Sequence, residues 1–147
     1  MLEAIDLVKH YPVRGSDRVV RALNGVSLTV AAGETLGVVG ESGCGKSTLA
    51  KLLVRLEEPT SGRVTLGGID LSALTGSRLR EQRRRIQMVF QDPFSALNPR
   101  LTAGRALDEV LAVHRLSGDA RGRADRVNEL LDMVGLPPEF ADRKSVV

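Results

Sequence analysis

Gly40-Glu41-Ser42-Gly43-Cys44-Gly45-Lys46-Ser47-Thr48 fits the P-loop pattern of Gly, four free positions, Gly, Lys, then Ser or Thr. The pattern predicts a phosphate cradle. Upstream, Thr35-Leu36-Gly37-Val38-Val39 reads as a short buried parallel strand. Downstream, Lys46 to Leu56 repeats Leu and Ala at helical spacing. The order required of the motif, strand, loop and helix, is therefore met. Glycines let the backbone turn tightly and approach phosphate oxygens, and the helix N-terminus adds its positive dipole end. Lys46 is placed to reach β and γ phosphates as a mobile point charge. The Ser47 hydroxyl suits a magnesium ligand, and Thr48 can add a hydroxyl contact. The plain alternative is a chance glycine-rich turn, which the flanking strand and helix patterns argue against.

The chain has 147 residues and is 42% hydrophobic, which suits one domain with a sizeable core. Its 21 basic and 18 acidic residues interleave, and a net charge of +3 is too small an excess to argue for nucleic acid. Five arginines, at 78, 80, 83, 84 and 85, have no aromatic residues among them, so a solvated short helix is the simpler reading than a nucleic-acid patch. Cys44 is the one cysteine, which excludes an intrachain disulfide and suits a reduced thiol in the cytoplasm. No apolar run approaches bilayer-spanning length, and Met1-Leu2-Glu3-Ala4 lacks the pattern of a secretory leader.

Working outward, Leu2 to Val8 reads as an opening strand that gives way to the polar stretch Lys9 to Asp17. Asn24-Gly25 reads as a tight turn before the alternating Val26, Leu28 and Val30, so an antiparallel β subdomain is expected. Ala31-Ala32-Gly33-Glu34 turns the chain. The P-loop helix should run to about Glu58, ahead of the turn Pro59-Thr60-Ser61-Gly62. Arg63 to Leu66 and Ile69 to Leu71, joined by Gly67-Gly68, read as a hairpin, and Ile86 to Phe90 as a further apolar strand. Helical patterns follow from Thr102 to Arg115 and from Asp119 to Val134, the second capped by Gly135. Val127, Leu130, Leu131 and Val134 form its apolar stripe.

On these residues the sequence resembles the nucleotide-binding subunit of ATP-binding cassette (ABC) transporters, nearest the oligopeptide, dipeptide and nickel importer branch. The resemblance covers nearly the whole chain. It is carried by Gly40 to Thr48, by Val89-Phe90-Gln91-Asp92-Pro93 and by the continuation Phe94-Ser95-Ala96-Leu97-Asn98-Pro99. It implies an α/β fold: a P-loop NTPase core with an antiparallel β subdomain over residues 1–93 and the start of a helical subdomain over 94–143. By that match Gln91 is the Q-loop glutamine, acting on magnesium and the attacking water where the permease docks, and Tyr11 is the aromatic that stacks on adenine. Lys46 and Gln91 are then the catalytic residues. Gly40, Glu41, Ser42, Gly43, Cys44, Gly45, Lys46, Ser47, Thr48 and Tyr11 hold ATP, and Ser47 and Gln91 hold Mg2+. From the residues alone, Tyr11 reads equally as a strand-end core residue and Gln91 as a turn residue before Pro93. If Tyr11 stacks on the base, Tyr11→Phe should be nearly neutral, because the ring face is kept.

The resemblance also implies membrane-spanning permease partners, a second ATP-binding subunit, and a cytoplasmic place on the inner face of the membrane. A complete cassette goes on to a Leu-Ser-Gly-Gly-Gln signature, a strand ending in Asp-Glu and a switch histidine, and the 147 residues contain none of these. Leu116-Ser117-Gly118-Asp119 imitates the signature between two helical patterns, and Leu107-Asp108-Glu109 imitates the acidic pair within one. His10 and His114 fit no switch position. The expected reading is an N-terminal portion of a cassette ATPase, with Lys144-Ser145-Val146-Val147 a candidate non-native tail. A non-catalytic nucleotide- or partner-binding module is the main rival. A small P-loop kinase is disfavoured, because a β hairpin and Gln91 follow the P-loop helix where a lid and acceptor site would be needed.

Overall fold

The computed structural model describes residues 1–92 and 98–144. The chain divides into two units, Met1–Met88 and Val89–Val147. Pro93 to Leu97, most of the continuation on which the resemblance drew, and Ser145 to Val147 of the candidate tail lie outside the described residues.

The first unit is built on a four-stranded antiparallel sheet in the order β2-β1-β3-β4. The strands are β1 (Leu2–Pro12), β2 (Val19–Val30), β3 (Ser61–Leu66) and β4 (Ile69–Asp70). β1 runs four residues beyond the expected end at Val8, because Lys9 to Pro12 pair with Val19 to Leu23. Its buried residues, Ala4 and Leu7, are three apart rather than two. A bulge at Asp6 (φ 47°) breaks the register between them and turns Leu7 back to the core. Asn24-Gly25 is not a turn. Val8 faces Asn24 and Leu7 faces Val26, so Gly25 (φ 80°) is the extra residue of a bulge inside β2. The β1–β2 connection lies earlier and is closed by a 2.9 Å hydrogen bond from Val13 N–H to Arg18 O.

Against the sheet lies helix α1 (Lys46–Leu53), and Leu49 and Leu52 enter the core with Ala4, Leu7, Leu23, Val64 and Leu71. Leu7, Leu52, Val64 and Leu71 are at most 1% exposed; each contributes about 1.5–3 kcal/mol from burial. The helix stops five residues short of Glu58, because Arg55 turns left-handed (φ 56°) and is itself buried, donating from Nε to Leu71 O at 3.0 Å. Its own carbonyl accepts from the Arg83 guanidinium of helix α2 (Gly76–Arg83). That contact accounts for one of the five clustered arginines by packing.

Two expected strands do not form. Thr35 to Val39 is exposed throughout, with Val39 96% accessible, and Ile86 to Phe90 is likewise outside any ladder, with Val89 95% accessible. A strand exists through its hydrogen-bonded neighbours, and among the described residues neither segment has one.

The second unit pairs α3 (Ala103–His114) with α4 (Ala120–Met133), followed by a 3-10 turn at Pro138–Asp142. Thr102 caps α3 by accepting from Arg105 N–H at 3.3 Å, and Asp119 caps α4 by accepting from Gly122 N–H at 2.9 Å. Leu111, Val127 and Leu131 form its core, with Leu107, Leu130, Leu136 and Ala141 packed around them. Val134 drops out of the predicted stripe: it is the C-cap of α4 and lies largely exposed. Among the described residues no helix is long and apolar enough to cross a membrane.

Candidate nucleotide-binding site

The loop from Gly40 passes into α1 through left-handed backbone at Gly43 (φ 81°) and Gly45 (φ 99°). Gly45 is also closely packed: a Cβ there would lie 2.5 Å from Ala22 O and 3.0 Å from Leu23 Cδ2, so the loop rests directly on β2. At Gly40 a Cβ would fall 2.6 Å from Cys44 Sγ, which keeps the two arms of the loop together. Gly45 is the N-cap of α1, with no side-chain cap and no acidic residue in the first turn, so the helix N–H groups and dipole are left for an anion. These features fit a phosphate group.

Lys46 folds over the loop, donating from Nζ to Gly40 O at 2.6 Å and Glu41 O at 2.7 Å, with Cys44 Sγ 3.6 Å away. Ser47 is exposed at the start of α1, and Thr48 is half-buried beside it. Cys44 is a free, exposed thiol.

Tyr11, from the end of β1, is brought alongside α1, between Thr48 in its first turn and Glu57 beyond its C-terminus. Its hydroxyl donates to the Glu57 carboxylate. Lys51 Nζ stands 3.2 Å from Glu57 Oε1, and Lys9 Nζ 4.0 Å from Oε2. Lys9 also lies 4.9 Å from the Tyr11 ring centroid and donates to Glu58 O at 2.7 Å. The bond to Glu57, with desolvation added, pushes the Tyr11 phenol above its ordinary value, opposed by a hydrogen bond from Thr48. The same bond from Tyr11 holds the Glu57 carboxyl below the ordinary carboxylate value, against desolvation and with help from Lys51 and Lys9.

Glu57 was not singled out by the sequence, although one signal exists. Glu57 and Glu58 sit just past a helix C-terminus, the end whose dipole disfavours acids. Such a pair needs cations, which Lys9, Lys51 and Arg55 provide.

Gln91 is exposed and belongs to the second unit, outside helix and strand. Both imitating segments resolve as packing. Asp119 is the α4 cap, and Asp108 accepts from Arg123 Nε at 2.6 Å, tying α3 to α4. A cavity of about 380 Å3 beside that ion pair, lined also by Arg105, Asn128 and Asp142, contains none of the motif residues.

Comparison with known proteins identifies a family. The family model described as "ABC transporter" matches residues 23–146. The chain is 52% identical over 148 residues to the "Probable peptide ABC transporter ATP-binding protein y4tS" of Sinorhizobium fredii, covering 97% of this chain and 42% of that protein. It is 46% identical to the "Oligopeptide transport ATP-binding protein AppF" of Bacillus subtilis, covering 97% and 45%. The chain thus spans less than half the length of these relatives. Among solved structures, the dimeric ABC transporter cassette MJ0796 superposes with a TM-score of 0.81 at 32% identity, covering 98% of this chain and 61% of that one. Its post-hydrolysis state, bound to ADP and Pi, gives 0.79 at 29% identity, covering 99% and 62%. The α/β cassette fold expected from the sequence is the fold of these neighbours, although two of the expected strands do not form among the described residues. With the P-loop in place and the family model spanning most of its length, the chain belongs to the ABC transporter family.

Proposed function

We propose that this chain is the ATP-binding part of an importer subunit that couples ATP binding and hydrolysis to the uptake of peptides or a similar small solute. The observation that carries the reading is the loop itself: Gly45 packed on Ala22, an N-terminus of α1 without a side-chain cap, and Lys46 beside them. The peptide-transport names of the relatives support the substrate class. In this reading residues 40–48 hold the triphosphate, with Lys46 moving from the loop carbonyls to the β and γ phosphates, and Tyr11 stacks on adenine. Ser47 and Gln91 are, by the family resemblance, the residues that would hold magnesium, which would supply charge neutralisation at the phosphates. Gln91 also orients the attacking water and marks where the permease docks. Residues 1–93 serve as β subdomain and core, and 94–143 as the start of the helical subdomain. The assembly works on the inner face of the membrane with a second ATP-binding subunit.

The 147 residues contain no Leu-Ser-Gly-Gly-Gln segment, and Asp108 is engaged by Arg123 within a helix pair. Positioning and charge stabilisation carry most of phosphoryl transfer, so this polypeptide is proposed to bind ATP without turning it over. Equilibrium ATP binding and phosphate release, measured on the same preparation, test both halves. Binding with release at background is expected. Release above background that disappears in Lys46→Ala would overturn the second half, and absence of binding the first.

A further inference from the structure

Tyr11 and Glu57 are 46 positions apart and meet alongside α1, where the bond between them carries a full charge on its acceptor. The backbone around them is tied as well. Thr60 N–H donates to Val8 O at 2.8 Å and His10 N–H to Thr60 Oγ1 at 2.9 Å, so the end of β1 and the segment after α1 are held together. Lys9, anchored on Glu58 O, stands over the Tyr11 ring. A tyrosine ring without these contacts would turn about its side-chain torsions.

We infer that Glu57 is a positioning residue for base recognition: it fixes the Tyr11 ring by its hydroxyl while Lys9 covers a ring face, so that a single face is presented to the adenine. This rests on the reading of Tyr11 as the adenine platform. It changes one expectation from the sequence. Tyr11→Phe keeps the ring but loses the tether, so it is no longer neutral.

The test uses the full 147-residue chain and two probes, ATP and inorganic tripolyphosphate, which shares the phosphates but has no base. Glu57→Ala and Tyr11→Phe should each weaken ATP about tenfold, the low end of what one hydrogen bond to a charged group is worth, and leave tripolyphosphate affinity unchanged. Glu57→Gln, which keeps an acceptor, should recover part of the loss, and the double variant should be no weaker than either single one. Equal weakening of both probes would overturn the inference in favour of a merely structural Glu57, as would no effect on either. If Glu57→Ala fails to fold, Tyr11→Phe removes the same bond while leaving the Lys9 and Lys51 ion pairs, and decides alone. Tyr11→Ala separates the two levels: unchanged ATP affinity there overturns the platform reading and the inference with it. A loss there, with none in Tyr11→Phe or Glu57→Ala, overturns the inference only.

Discussion

Two glycines in the phosphate loop have nearly the same backbone and should respond very differently to alanine. Gly43 (φ 81°) and Gly45 (φ 99°) both occupy left-handed conformations. For a residue with a Cβ that region costs roughly 1–2 kcal/mol. At Gly43 the added Cβ would meet nothing within 4 Å, so the conformational cost is the whole cost. At Gly45 it would lie 2.5 Å from the Ala22 carbonyl oxygen, a backbone atom of β2 that cannot rotate away as a side chain would. Either the loop or the strand must move, and the neighbouring Leu23 and Leu49 belong to the core. Displacing close-packed groups adds about 1–3 kcal/mol. Gly45→Ala should therefore destabilise by about 2–5 kcal/mol and Gly43→Ala by about 1–2 kcal/mol, summing those two costs. Urea unfolding followed by circular dichroism reads the difference directly. Gly45→Ala should also weaken ATP beyond any loss seen for Gly43→Ala at the same folded fraction. Equal destabilisation by the two substitutions would show that the loop does not rest on Ala22, and would refute the packing argument.

Gly40→Ala should be rescued in part by Cys44→Ala, because the added Cβ meets the Cys44 Sγ at 2.6 Å and no other residue within 4 Å; thermal midpoints of the two single variants and the double variant should be clearly non-additive, and simple additivity would contradict the contact. The bond between Tyr11 and Glu57 gives stability a pH window. Glu57, held below its ordinary 4.5, contributes above that value and loses the contribution as pH falls through its folded value. Tyr11, raised above 10.0, contributes fully below 10 and loses it as pH rises through its folded value. Melting midpoints against pH should thus lose a part of their acid and alkaline limbs in Glu57→Gln, and superimposable profiles would contradict the assignment.

The backbone of the loop was legible because it is local: the motif fixes Gly40 and Gly45 close together in sequence, and Gly45 is the left-handed N-cap of α1. Helix starts were legible for the same reason, since Thr102 and Asp119 cap through residues three positions on. Asn24-Gly25 misled because a hairpin turn and a bulge both need a left-handed glycine, and only the pairing of Leu7 with Val26 and Val8 with Asn24 tells them apart. Thr35 to Val39 and Ile86 to Phe90 carry strand-like composition, but a ladder depends on a neighbour that composition does not specify. The buried Arg55 and the Tyr11–Glu57 bond were hidden by sequence separation: their partners are fixed by how β1, α1 and β4 meet, not by spacing along the chain.

Calorimetric titration of the chain with magnesium-ATP, beside Lys46→Ala, tests the central claim most directly. The Lys46 ammonium gives up contacts to the Gly40 and Glu41 carbonyls in order to reach phosphate, so the net loss on removing it should be that of one charged hydrogen bond, about 1.5–3 kcal/mol. That corresponds to a roughly ten- to hundredfold weaker Kd. Unchanged affinity in the folded variant would contradict the assignment of residues 40–48 as the phosphate site.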